Sequence, residues 1–394
     1  MILQTIILWY GILALSHLFI QINLGHIEFL KYFSMITDKS FTPSVGIIIP
    51  MYNENYSSMW ECIKSTLEQN YPDVLVIMID DGSRSAEVFD QIKKDFEHYD
   101  NFFPIRKYRN EGKRKAQKTA FDVLDERVEI IVTIDSDTVL SKDGLINIVQ
   151  KFKNPNIGAI TGNVRAIKEE NLLTKLIDGR YFSAFNQERA AQSLFGTVLC
   201  CSGPFAAYRS CIIREVKECY ITQRFLGQEC TYGDDRHLTN LVLNEGYQVK
   251  YEIKAHAVTR VPHIYKEFFS QQVRWNKSFY RELLWTLKFY IRAPQNFHPY
   301  ILYDLTIQTM LLFLLMLVIS FSFFRGITVS PIYLLQYIVM VFGISVLRAS
   351  YSFLRSRDNN LLLFPIYSFL HIFMLIPARI YAILTLKKAG WGTR

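Results

Sequence analysis

Six cysteines in 394 residues, with no CxxC or Cys/His ligand spacing among them, leave no framework for a structural zinc site. Cys62, Cys200, Cys201, Cys211, Cys219 and Cys230 all fall in the polar half of the chain and read as reduced thiols of a cytosolic domain. A block of one charge sign is missing too. The formal net charge is +8, yet Lys and Arg are scattered among 36 acidic residues, which argues for lipid headgroups and phosphorylated substrates and against nucleic acid as partner. No internal repeat or low-complexity tract is present. No small-residue cleavage site follows the apolar run Ile2 to Leu24, so this run reads as an anchor and not as a removable signal.

What the chain has in excess is apolar mass: 50% hydrophobic and 14% aromatic residues, more than a soluble enzyme usually needs. We read residues 1–34 as an N-terminal transmembrane anchor. Across 42–270 short β-rich runs (Val45 to Ile49, Val74 to Ile79, Ile130 to Ile134) alternate with charged, helix-like stretches, the mark of an α/β domain with a mainly parallel sheet. Residues 271–298 form an amphipathic interfacial segment, in which Phe279, Leu283, Trp285 and Phe289 are mixed with Lys277, Arg281, Glu282 and Lys288. Two nearly charge-free blocks within 299–348 read as transmembrane helices. The last region, 349–394, is a cytoplasmic loop, an interfacial or re-entrant helix and a tail, because its apolar block carries Pro365, His371, Pro377 and Arg379. Arg348, Arg355 and Arg357 follow the second block whereas only Arg325 separates the two, which places the α/β domain and the tail in the cytoplasm.

Three predicted strands end in acidic turns. Tyr52 and Glu54 follow the first, Asp80-Asp81-Gly82-Ser83 the next, and Asp135-Ser136-Asp137 the third. Ligands of open α/β sheets bind beyond the carboxyl ends of strands, so these groups suit a base, a ribose and, at Asp135 and Asp137, a Mg²⁺ or Mn²⁺ that shares its shell with a diphosphate. Each turn alone reads equally well as solvated loop chemistry; three in series do not. Lys113, in a basic cluster that begins a helix, suits phosphates, or equally a solvated charged face. Asp234-Asp235-Arg236 opens a further helix, where Asp235 suits a general base and Asp234 suits a helix cap. Gln271, Arg274 and Trp275 open the amphipathic helix and suit a diphosphate and a sugar face, or equally a surface ion pair and lipid anchoring.

In order, the segments PMYNE, DDGS, EGKR, DSD, CSGP, GDDR, QQVRW and the terminal WGTR resemble the processive membrane-bound family 2 glycosyltransferases, among them cellulose, chitin and hyaluronan synthases. Glu188 to Ser193, Gly233 to Asn240 and Gln271 to Glu282 are most similar to bacterial hyaluronan synthases of the streptococcal type. The resemblance spans nearly the whole chain. It implies an α/β GT-A-type domain inserted between transmembrane helices, and a channel through which the growing polysaccharide passes. It further implies that Tyr52, Glu54, Asp80, Asp81, Lys113, Asp135, Gln271, Arg274, Trp391, Thr393 and Arg394 bind the nucleotide sugar. Cys201, Ser202, Gly203, Pro204 and Trp275 would line the acceptor side, Asp234, Asp235 and Arg236 would serve catalysis, and Asp135 with Asp137 the metal. UDP-GlcNAc and UDP-GlcUA, giving hyaluronan, are the donors it implies, with a chitin-type or other capsular polymer and a polyprenyl-phosphate transferase as alternatives. Streptococcal-type synthases begin with two transmembrane helices, whereas this chain has one before Thr42. Oligomeric state is left open.

Overall fold

A computed structural model describes residues 2–34 and 39–388. Eight strands form one sheet, and their order explains where the acids go. β1 (Val45–Met51), β2 (Val74–Asp80), β3 (Phe102–Arg106) and β4 (Ile130–Thr133) are mutually parallel in the order β3-β2-β1-β4. Every residue of β1 is buried, as expected of a strand covered by helices on both faces, and each such aliphatic side chain contributes roughly 1.5–3 kcal/mol. β5 (Thr138–Leu140), β6 (Ile157–Ala166), β7 (Ala206–Arg209) and β10 (Gln248–Thr259) continue the sheet as β4-β7-β6-β10-β5; a two-residue hairpin, β8 (Arg224–Phe225) with β9 (Gln228–Glu229), stands apart.

The sheet is mixed but mainly parallel, as the sequence pattern predicts: β1 to β4, β6 and β10 run one way, and only β7 and β5 run against them. β7 runs antiparallel to both β4 and β6, and β5 antiparallel to β10. Alternation of apolar and charged runs identifies strands but carries no information about the direction of a strand that returns from the far half. β3 and the strands beyond Ile134 were not expected, because Phe103 is exposed and β6 and β10 carry polar residues inside an apolar pattern.

Four helical runs among the described residues are long and apolar enough to cross a membrane: Thr5–Lys31, Tyr300–Thr328, Ile332–Ser356 and Asn359–Leu384. The α/β half grips three of them by polar side chains. Ser193 donates to Glu28 of the first (2.8 Å), Gln192 to Asp304 of the second (2.7 Å), and Gln187 to Ser352 of the third (3.0 Å). The fourth run is broken by a π-turn at His371–Leu375. Both of its flanks return to the α/β domain: Asp358 pairs with Arg165 (3.1 Å), and the Lys388 carbonyl accepts from Lys277 (3.3 Å) and Tyr232 (3.4 Å).

Candidate active site

β2 ends on Asp80, which is fully buried and accepts from the Ser83 amide (2.9 Å), the Ser83 hydroxyl (2.5 Å) and Arg106 Nε (2.9 Å). Asp81 accepts from Lys107 Nζ (2.9 Å) and from the Glu111 and Gly112 amides (3.2 and 2.6 Å). These two carboxylates fold their own loops. They fix the turn after β2 and draw the segment before Lys113 against it. Tyr52 and Glu54, half-buried just past the end of β1, sit on either side of Asn53, whose amide donates to the Ser83 hydroxyl (2.9 Å) and so ties the two turns together.

Lys113 is the first residue of the Lys113–Val123 helix, entered through Gly112 at φ 93°. Its ammonium bridges Asp135 (2.5 Å) and Asp234 (2.9 Å) and so joins the strand-end acids of the parallel half to the second acid pair. Burial opposes the charge on Lys113, but the two carboxylates outweigh it and raise its pKa well above the ordinary lysine value. The loop Cys201 to Pro204 closes over this bridge. A Cβ on Gly203 would sit 2.9 Å from Asp135 Oδ2 and 3.2 Å from Lys113 Nζ, so only glycine lets the backbone approach the carboxylate this closely. Asp137 accepts from Thr259 (3.1 Å). Among the described residues no third His, Cys, Asp or Glu joins Asp135 and Asp137. Two hard carboxylates, one of them also held by Lys113 and approached by Gly203, fit a divalent oxygen-seeking cation, which takes one or two protein carboxylates and fills its remaining positions with phosphate and water oxygens.

The second acid pair sits on the Asp234–Asn244 helix. Its N-cap is Gly233, left-handed at φ 76° and pressed against the Ser278 side chain; the expected capping by Asp234 does not occur, because that carboxylate turns to Lys113. Asp235 is half-buried and accepts from the Cys200 thiol (3.3 Å) and the Arg236 amide (2.8 Å). Burial and neighbouring Asp234 raise its pKa, whereas Lys113 outweighs burial at Asp234 and lowers that one. Two adjacent carboxylates are thereby split into a neutralised anchor and a basic group. The Arg236 guanidinium lies over the Phe279 ring, 5.4 Å from its centroid.

Ser202 accepts from Arg189 (2.7 Å), and the Cys201 amide donates to Thr239 of the Asp235 helix (2.9 Å). Trp275 is 42% exposed, and its ring lies tilted 6.4 Å from that of Tyr181. Gln271, Arg274 and Trp275 do not open a helix: they lie inside the continuous Tyr265–Arg292 helix, whose start the mixed polar residues before Gln271 hide. Trp391, Thr393 and Arg394 lie outside the described residues; the chain is described as far as Lys388, beside Tyr232. Sequence reasoning missed Cys200, Arg189 and Arg114. Cys200 flanks a recognised motif, and Arg189 and Arg114 lie inside two others, but nothing in their spacing shows that Cys200 meets Asp235, Arg189 meets Ser202 or Arg114 meets Gln223.

A half-sheet with acidic strand ends, joined by a mixed half whose second acid pair meets them through Lys113, defines a GT-A glycosyltransferase. The overall backbone is similar to a mannosyltransferase from Pyrobaculum calidifontis solved with GDP-Man and Mn²⁺ (TM-score 0.58, 17% identity, 96% of this chain and 99% of that one). Residues 46–217 match the glycosyl transferase family 2 model. Over 98% of its length the chain is 34% identical to hyaluronan synthase of Streptococcus pyogenes, covering 90% of that protein. Over 90% of its length it is 35% identical to an N-acetylglucosaminyltransferase of Azorhizobium caulinodans, covering 88% of it. Human hyaluronan synthase 3 is 30% identical over 89% of the chain and 69% of the relative. The chain belongs to glycosyl transferase family 2.

Proposed function

We propose that this enzyme is a processive, inverting polysaccharide synthase that uses UDP-GlcNAc and UDP-GlcUA to make hyaluronan and passes the polymer through its own membrane helices. The observation that carries the chemistry is the Lys113 bridge, which brings Asp135 and the Asp234-Asp235 pair to one crevice. Tyr52, Glu54 and the loops folded by Asp80 and Asp81 would receive the nucleotide, and Gln271 and Arg274 its diphosphate. Asp135 and Asp137 would hold Mg²⁺ or Mn²⁺, whose chemistry there is to neutralise the departing diphosphate. Asp235 takes the proton of the acceptor hydroxyl as that oxygen bonds to the anomeric carbon and the bond to the diphosphate breaks on the opposite face. Arg236 and Cys200 set the position of Asp235; Cys201 to Pro204 and Trp275 cradle the acceptor sugar.

The cytoplasmic placement of the catalytic half is supported by the arginines at the domain-side end of the third membrane run. We read Asn359–Leu384 as re-entrant or interfacial, since both its flanks contact the α/β domain. The described chain runs as far as Lys388, beside Lys277 and Tyr232, and Trp391, Thr393 and Arg394 beyond it would bind the nucleotide.

A second reading, a polymer of GlcNAc alone, is favoured by the equal similarity to an N-acetylglucosaminyltransferase. Membrane vesicles supplied with Mg²⁺ or Mn²⁺ and UDP-GlcNAc, UDP-GlcUA or both decide between them. Long polymer degraded by hyaluronan-specific lyase, formed only with both donors, is the expected result; polymer from UDP-GlcNAc alone would move the assignment to a chitin-type synthase.

A pH dependence follows. Asp235 works only when ionised and its pKa is raised, so transfer falls on acidification at a pH above the ordinary aspartate range of about 4. Initial rates from pH 4 to 8 check this, and an acid limb at or below that range removes Asp235 as base.

A further inference from the structure

Deep beneath the crevice lies a carboxylate to which the reaction above gives no task. Glu282 is 1% exposed, on the same helix as Gln271, Arg274 and Trp275, about two turns beyond the tryptophan. Its Oε2 accepts from His237 Nδ1 (3.1 Å) and Asn240 Nδ2 (3.0 Å), both on the helix that Asp235 opens. Its Oε1 accepts from Gln223 Nε2 (2.6 Å), which lies ahead of that helix. Gln223 in turn accepts from Arg114 (2.8 Å), the residue next to Lys113.

Arg114 extends the frame to the backbone. It donates to the carbonyls of Tyr220 (3.2 Å), Tyr232 (3.1 Å) and Gly233 (3.1 Å), while Arg281 of the Glu282 helix also donates to the Tyr232 carbonyl. Gly233 is the left-handed hinge that aims Asp234 and Asp235. The turn is thus held from its start by Gln223 and Arg114 and from its far side by His237 and Asn240, and Glu282 is where the two sets of bonds meet.

A buried carboxylate is costly unless it is bonded and paired, and here three donors occupy most of its acceptor sites while Arg281 Nε lies 3.9 Å from Oε1. Burial lowers the His237 pKa, and because a carboxylate can only accept, the bond to Glu282 requires the proton on Nδ1.

We propose that Glu282 is a positioning residue for glycosyl transfer, fixing the Asp234-Asp235 turn against the helix that carries Gln271, Arg274 and Trp275 so that the base and the sugar-binding side chains keep one register. None of the network touches Asp235 itself, so its effect is on geometry. The inference rests on reading Asp235 as the base.

The test uses the full chain in membrane vesicles. Glu282→Gln keeps the shape, removes the charge and turns an amide N–H toward one of the three donors. The maximal rate is expected to fall about 10- to 100-fold, the scale of misplacing a reacting group by about 1 Å, with KM for UDP-GlcNAc and UDP affinity by calorimetry nearly unchanged. Glu282→Asp, which restores the charge, is expected to recover much of the rate. Should Glu282→Gln fail to accumulate, Asn240→Ala removes one donor and is expected to give the same split with a smaller loss. An unchanged rate, or rate, UDP affinity and thermal stability all falling together, overturns the proposal. Asp235→Asn in the same assay separates the two ideas: if it transfers normally, the base assignment fails whatever Glu282 does.

Discussion

Asp235→Asn is expected to cut glycosyl transfer by about 10²- to 10⁴-fold while leaving UDP affinity within about twofold, the range a positioned general base supplies. The choice of Asp235 over its neighbour comes from their surroundings. Asp234 is tied to Lys113 at 2.9 Å and its carboxylate is held ionised by that charge, which spends its basicity. Asp235 keeps its basicity because burial and Asp234 raise its pKa, and its contacts are a thiol and one backbone amide. Asparagine retains an oxygen for the Arg236 amide and for Cys200, so the turn should survive while the proton acceptor is lost. Polymer yield from radiolabelled donor, set beside UDP binding by calorimetry, measures both halves. Near wild-type yield would remove Asp235 from the reaction.

Lys113→Ala should be nearly as damaging for a different reason. The ammonium neutralises two carboxylates from distant parts of the chain, and its loss leaves them facing each other at low exposure. Breaking a buried pair in this way costs roughly 3 kcal/mol, at the low end of the usual range because Asp135 remains 29% exposed. Three consequences are expected together. The melting temperature in detergent falls, and transfer drops by about 10²-fold as the acids separate. The acid limb of the rate moves to higher pH, because a cation that favoured ionised Asp235 is gone. Added Mn²⁺ should restore part of the stability, since a cation held by Asp135 and Asp137 replaces some of the missing charge. Unchanged stability and an unmoved acid limb would show that the bridge does not organise the site.

Much of this site is legible in the sequence because its parts are local. A run of apolar residues such as Val74 to Ile79 buries itself as a strand, and the acids that follow must then lie at its carboxyl end, where open sheets bind ligands. Asp80, Asp81, Asp135 and Asp137 are found this way. Lys113 is found because Gly112 lets the chain turn into a helix whose first residue is basic. The apolar blocks announce themselves by length alone.

Long-range pairing is another matter. That Lys113 reaches Asp234 as well as Asp135, and that Cys200 meets Asp235, depends on β7 entering antiparallel beside β4, which carries the Cys201 to Pro204 loop back over the strand ends. No periodicity encodes that direction, because an apolar strand satisfies its burial equally well either way. The same holds for the Tyr265–Arg292 helix, whose buried Glu282 looks like one more charged residue on an interfacial face until Gln223, His237 and Asn240 converge on it. The sequence by itself determined which strands end in acid, which runs are apolar enough for a bilayer, and the family to which the motifs belong. Tertiary structure alone decided which acid is neutralised and which stays basic, because a carboxylate's ionisation is set by the charges and burial that distant segments bring to it.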